Sequence, residues 1–354
     1  MARILSEVIQ PPPFYHPAAA NVWIDVHKGI RDIQPRFLIG SNGQCQAFVP
    51  LVLWRRSWKQ AAQRVLLPVG HDDFDYNEPL VIAGGEAFDW SNFWSAMLSE
   101  CRKTYGHEYD RIELKGVRGI YVAGHSFFTE KEECPLLDLS RLSDAGECMR
   151  TLSGGERREL ERRKRNLQAI GEVSHHVYDA AEDHQAAGAL IKMLDAHRRR
   201  WPKAYKADGF HRKLLLQLMP AGLLHFSELR LANKAISWRF AFKDRQTFYS
   251  YMPAFDVEWM QYSPGTLHLL ENIKWAIQHK YATFDFLRGR EKYKDSWSSG
   301  VISLFSGQEA GSRSLNRART AAAGLFTKLS MLRLKLTDRK RPLGETRGTR
   351  LLGI

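Results

Sequence analysis

Cysteine is scarce in this chain: Cys45, Cys101, Cys134 and Cys148 form no CxxC pair and have no histidine at ligand spacing. A disulfide framework and a zinc site are therefore both disfavoured, and reduced thiols are the expectation. Long apolar runs are missing too. The longest, near Ala47 to Trp54, is too short to span a bilayer, and no charged start followed by an apolar leader segment is legible. A cytoplasmic protein is expected. There is no Gly-x-x-x-x-Gly-Lys-Ser/Thr loop, so the string Leu152-Ser153-Gly154-Gly155-Glu156 is not read as an ATPase signature. It reads instead as a capping box, with Ser153 as N-cap and Glu156 at the third helical position. Gly-x-Ser-x-Gly is absent as well, which removes the commonest hydrolase nucleophile.

What is present fits a globular chain of two domains: 354 residues, 44% apolar and 26% charged. The net charge of +13 is uneven. From Val301 to Ile354 there are 11 Lys and Arg against 3 Asp and Glu, so most of the excess lies in the tail. No zinc finger, aromatic RNA-binding signature or basic zipper accompanies it, and a nucleic-acid partner is not expected. Between Ser312 and Leu336, Leu315, Ala318, Ala322, Leu325, Leu329, Leu332 and Leu336 form a helical stripe, with Arg and Lys at other positions. Such a basic amphipathic helix lies on an anionic membrane, docks on a partner or packs on its own chain.

In the first half, Arg36 to Gly40 and Gln44 to Trp54 flank Asn42-Gly43, a strong hairpin signal. A strand at Val65 to Val69, a helix from Asp89 to about Tyr105 and a strand at Arg111 to Leu114 follow. Beyond the capping box, helices are expected over 157–168, 181–200 and 209–219. The six basic residues of the first of these read as a solvated face or as a contact for a phosphate-bearing ligand. Then Ala235 to Phe242 and Thr247 to Pro253 read as a hairpin, Ser263-Pro264-Gly265 opens a helix, and Thr283 to Leu287 is a short strand. The expected fold is α/β (α+β): two similar domains, each a mixed, mostly antiparallel sheet flanked by helices, over 1–150 and 151–305, with a basic tail over 306–354.

The stretch Ser237 to Trp297 carries a resemblance. Its pieces are Ser237-Trp238, Tyr249-Ser250-Tyr251, Ala254-Phe255-Asp256, Trp259, Ser263-Pro264-Gly265, Phe284-Asp285-Phe286-Leu287-Arg288-Gly289, Glu291-Lys292-Tyr293-Lys294 and Trp297. It resembles the acetyltransferase domain of bacterial cellulose and exopolysaccharide biosynthesis proteins, in the GNAT superfamily of CoA-dependent acyltransferases. The doubled arrangement is similar to the peptidoglycan aminoacyl transferases. The resemblance implies acetyl-CoA or a longer acyl-CoA as co-substrate, no tightly bound cofactor, and a sugar or lipid-linked acceptor. The usual Gln/Arg-x-x-Gly-x-Gly/Ala phosphate loop is absent, so Ser263, Gly265 and Thr266 would stand in for it, using unpaired amides at a helix start.

Acyl transfer from a thioester needs a positioned acceptor, a base and a proton for the leaving thiolate. Asp256, after the second hairpin strand, is the candidate base, with a carboxyl raised by aromatic walls at Phe255, Trp259 and Tyr251. Tyr293 is the candidate acid by the resemblance. Arg288, Arg290 and Lys294 are candidates for CoA phosphates. Trp238, Arg239 and Asp285, with Asp75, Tyr76 and Asn77 in the first half, are candidates for the acceptor. His71-Asp72-Asp73 reads as a polar turn. Two other readings stay open: long-chain acyl transfer to a lipid amine such as a sphingoid base, and a non-catalytic regulator of a polysaccharide synthase that binds a nucleotide.

Overall fold

The computed structural model describes residues 12–29, 32–41, 46–56, 62–83, 88–179, 183–202, 207–289 and 291–311, with 318, 321, 322 and 325. Two compact units emerge. One holds Ile24–Glu130 and continues from Phe305; the other holds residues up to Trp23 together with Lys131–Leu304. The sequence expectation set the boundaries at 150/151 and 305/306. Residues 131–150 thus go with the later unit, where the strand Phe128–Asp138 pairs with Thr283–Asp285. That strand carries charged Glu130 to Glu133 and no period-2 apolar signal, so its pairing was hidden in the sequence.

In the unit around 24–130, helix α1 (Pro17–Lys28) leads into strands β1 (Ile33–Ser41) and β2 (Gln46–Arg55). They pair antiparallel, with Ser41 opposite Gln46. Strands β3 (Arg64–Pro68) and β4 (Leu80–Ala83) both pair with β2. Helix α2 (Trp90–Tyr105), capped by Asp89, returns the chain to β5 (Arg111–Arg118), parallel to β3. Leu51, Leu66, Phe93, Trp94 and Ile112 fill the core.

The other unit opens its new elements at β6 (Phe128–Asp138) and helices α3 (Ala145–Thr151) and α4 (Gly154–Gln168). The capping box is present: Ser153 Oγ accepts the Glu156 N–H, and the Glu156 carboxylate accepts the Ser153 N–H. Next come β7 (Val173–Tyr178), α5 (Asp183–Arg200), α6 (Phe210–Leu218), β8 (Leu224–Leu231), β9 (Lys234–Lys243), β10 (Thr247–Phe255), α7 (Pro264–Gln278), β11 (Thr283–Asp285), α8 (Lys292–Trp297) and β12 (Gly300–Ala310). The order is β6-β11-β10-β9-β8-β7, antiparallel except where β10 meets β11. Both units are mixed α/β structures in which largely antiparallel sheets are flanked by helices.

Two details of this sheet prepare the site. β8 and β9 are joined by Ala232 and Asn233 alone, both at positive φ (45° and 66°), as the right-handed twist of a two-residue hairpin requires. β11 ends at Asp285, so its parallel ladder covers only Thr247–Tyr249 and the rest of β10 runs on past it. Just there the β9–β10 register shifts, between Tyr249 and Met252. Successive β9 side chains take opposite faces. Arg239 reaches toward α7, whereas Trp238 belongs to the face that α5 covers.

Candidate active site

At the end of β10 and under α5 lies a cavity of about 540 Å³. Its wall includes Trp238, Phe255 and Asp256 from the strands, and Lys192, Asp195 and Arg199 from successive turns of α5. Asp256 caps a short 3-10 turn, Val257–Tyr262, and accepts the Glu258 N–H at 3.2 Å. Its other oxygen stands 4.0 Å from Lys234 Nζ, and the side chain keeps 22% of its surface exposed. Trp238 is buried, and its indole N–H donates to Glu228 Oε1 at 2.8 Å. Two residues chosen from the sequence for different tasks, base and acceptor contact, therefore share one cavity.

A second cavity, of about 360 Å³, continues along α5 and shares Lys192, Asn233 and Ala235 with the first. Glu228 and Arg230 of β8 and Tyr178 of β7 line it. Arg230 Nε donates to Glu228 Oε2 at 2.7 Å and Nη2 to the Tyr178 hydroxyl at 3.0 Å. Burial, with the Glu228 carboxylate close by, pushes the Tyr178 phenol up to about 12. None of these three was singled out from the sequence. The available signal was Glu228 itself, a carboxylate inside a largely buried strand, where an acid needs partners.

On the α7 face the picture differs. Arg239 is 4% exposed; it donates to Ser250 Oγ and to the Gly265 carbonyl, both at 3.0 Å, and its Nε meets no acceptor. Burial pulls its guanidinium down to about 10, with Tyr293 opposing that shift. Tyr293 itself is half-buried on α8 against the core, and neither cavity is lined by it. Beneath α7, His268 bridges Ser237 Oγ (3.1 Å) and Ser227 Oγ (3.0 Å), and complete burial holds it neutral, well below the usual histidine range.

The expected phosphate cradle is narrower than an open helix start. Pro264 has no N–H, and Thr266 and Leu267 both donate to the Ser263 carbonyl, which leaves the Gly265 amide as the one to spare. Phe255 packs against the same residue: a Cβ at Gly265 would stand 3.3 Å from that ring. A diphosphate seated by several amides does not fit here. Lys294 is buried; it donates to the Leu287 and Arg288 carbonyls and pairs with Glu291, so it closes the 287–289 loop. Arg288 pairs with Glu132 at 3.4 Å. Asp285 is buried and accepts the Leu287 N–H, holding that residue at positive φ. Arg290 lies outside the described residues.

Asp75, Tyr76 and Asn77 sit in the other unit. Gly116, at φ +73°, brings its backbone against this segment: a Cβ would stand 2.2 Å from the Asp75 carbonyl, and the Asn77 N–H donates to Gly116 O. Asn77 and Tyr76 are buried there. His71-Asp72-Asp73 is the polar turn expected, with His71 buried between Asp72 and Glu113 and lowered to about 4 by that burial. Among the described residues no group of His, Cys, Asp and Glu could hold a metal.

Comparison with known proteins places this geometry. Residues 155–295 match the model of the Acetyltransferase (GNAT) domain family. This part of the chain is similar to GNAT acetyltransferase domains, which supports acyl transfer as the activity class, and that family takes acetyl-CoA as co-substrate. No curated protein matches. Among solved structures, the chain is similar to FemX, with TM-score 0.56 and 9% identity over 86% of this chain and 94% of that one. It is equally similar to the C-terminal domain (DUF2156) of a putative lysylphosphatidylglycerol synthetase from Agrobacterium fabrum, with TM-score 0.56 and 11% identity over 93% and 96%. A conserved protein of unknown function from Bacteroides thetaiotaomicron follows, with TM-score 0.54 and 10% identity over 86% and 95%. At such identities the likeness is one of fold.

Proposed function

We propose that the chain transfers an acetyl or longer acyl group from CoA to an amino or hydroxyl group of a cell-envelope sugar, at the cavity under α5. The observation that carries this reading is the pairing of a partly exposed carboxylate, Asp256, with a buried indole, Trp238, in one cavity. An aromatic face with polar neighbours suits a sugar ring, which is apolar on its faces and polar on its rim. Bound acetyl-CoA supplies a thioester carbonyl. Asp256 takes the proton that the attacking acceptor nitrogen or oxygen sheds as the new C–N or C–O bond forms and the C–S bond breaks. Trp238 orients the acceptor, and Glu228 holds the indole. The pantetheine arm is assigned to the stretch where β10 runs on past β11. Its phosphates need other partners than the start of α7.

The basic segment 312–336 falls, apart from 318, 321, 322 and 325, outside the described residues. Its sequence supports contact with an anionic membrane, which would bring the enzyme to lipid-linked or nascent glycan. No described helix is long and apolar enough to cross a membrane.

The test is thiol release from acetyl-CoA with amino sugars as acceptors. Asp256→Asn is expected to lower kcat by about 10²- to 10⁴-fold, the usual range for loss of a general base, while the melting temperature holds. Undiminished turnover in that variant removes Asp256 as the base. Absence of thiol release with every amino sugar removes the reading itself.

A further inference from the structure

The two cavities are neighbours along a single helix. Gln185 and Gly188 belong to one, Asp195 and Arg199 to the other, and Lys192 to both. From Gln185 to Arg199 the α5 floor extends about 21 Å at the usual helical rise. The opposite wall is one hydrogen-bonded run. Trp238 in the first compartment donates to Glu228, Glu228 accepts from Arg230, and Arg230 donates to Tyr178 in the second. Trp238, Glu228 and Tyr178 are each at most 7% exposed, so an aromatic side chain is fixed at either end by a buried carboxylate in the middle. Asn233, on the rigid two-residue turn, stands where the compartments meet.

We infer that these compartments form a continuous acceptor groove for a linear oligosaccharide, with the acylated ring in the Asp256 compartment and the neighbouring ring in the Tyr178 compartment. This rests on the acyltransferase reading and narrows its acceptor from a single sugar to a chain. A groove with the edge of a fixed aromatic side chain in each compartment, polar side chains between them and mixed charge along the floor matches rings repeating along a strand-like polymer. A lone sugar would leave the smaller compartment to water. Glu228 is a positioning residue in this arrangement, since it holds both walls and lies outside the Asp256 compartment's lining.

Gly188 gives a clean way to close the second compartment. It lies in the body of α5, and an added Cβ there meets nothing within 4 Å. Gly188→Phe therefore projects a ring into open space, and it removes a helix-weakening glycine at the same time. Glucosamine and its β-linked trimer serve as probes, read by thiol release from acetyl-CoA and by calorimetric binding. For the wild type the trimer is expected to exceed the monomer in kcat/KM by about tenfold or more, as a second buried ring contact supplies. In Gly188→Phe that advantage is expected to fall to about twofold or less, with a matching loss of trimer affinity in calorimetry. Glu228→Gln is expected to reduce the same ratio through KM, with a smaller change in kcat.

Equal kcat/KM for monomer and trimer in the wild type overturns the groove while leaving acyl transfer to sugars standing. So does an unchanged ratio in a Gly188→Phe protein whose thermal unfolding shows it folded. If neither sugar is bound or acylated, the sugar-acceptor reading falls and the groove with it.

Discussion

Among the described residues no carboxylate pairs with Arg239. A buried guanidinium normally demands one, because moving a charge out of water costs several kcal/mol that only a close counter-charge and full hydrogen bonding offset. Here the compensation comes from a hydroxyl and a peptide carbonyl, and Nε goes without. Arg239→Met is therefore expected to keep or raise stability; each kcal/mol would appear as about 2–4 °C in the melting temperature for a domain of this size. A sharp fall would mean that the bonds to Ser250 and Gly265 hold the start of α7 in place. The sequence named Arg239 through its aromatic neighbours and the resemblance. What it could not give was the partner list, which depends on a bulge in β10 and on where α7 begins. Asp256 and Trp238 were legible for a simpler reason: the strand-to-helix pattern puts both at one end of a hairpin, and distances across a hairpin follow from register. Tyr178, Glu228 and Arg230 were not, because their meeting needs β7 to pair with β8, and β7 carries two histidines in place of a clean apolar alternation.

At the scale of elements, the sheet beneath α7 stores a pH dependence. His175 is lowered to about 4, and His225 and His268 are lowered well below the usual histidine range, in each case by burial first. The unfolded chain takes up protons on these rings near pH 6.5, before the folded chain does. Stability is thus complete above about pH 6.5 and is lost as pH falls toward the folded values. Each ring contributes a slope of up to about 1.4 kcal/mol per pH unit in that window. Chemical denaturation at pH 7, 6 and 5 should show the decline, and His268→Gln should flatten it. A pH-independent midpoint across that range would contradict the burial of these rings as neutral species.

Helices were easier to read than strands throughout. α2, α4, α5, α6 and α7 were each announced by a cap, a Pro-Gly start or a 3.6-residue period. β8 was passed over because both of its faces are covered, which erases the alternation, and β12 because the basic tail after it dominates the composition.

For the molecule as a whole, charge separates from catalysis. The described cavities mix acidic and basic side chains, whereas most of the excess positive charge sits from Val301 onward. Removing 312–354 is expected to leave acetyl transfer to a soluble sugar intact and to weaken sedimentation with vesicles rich in anionic lipid, most visibly at low salt. Equal sedimentation of the truncated and full chains would dissociate the tail from membranes. The same division explains why bulk composition said little about the reaction: net charge reports on surroundings, and the chemistry depends on a handful of side chains that contribute almost nothing to it.

The two-residue link between β8 and β9 has a consequence for how such an enzyme changes its taste. Positive φ at Ala232 and Asn233 admits few replacements, so this lip of the active region is closed to gradual drift. α5 is under no such restriction along the face it turns to the groove. Diversification of acceptor preference, by natural descent or in the laboratory, should therefore be written on positions 185, 188, 192, 195 and 199 of that helix, with the hairpin tip kept as a constant template.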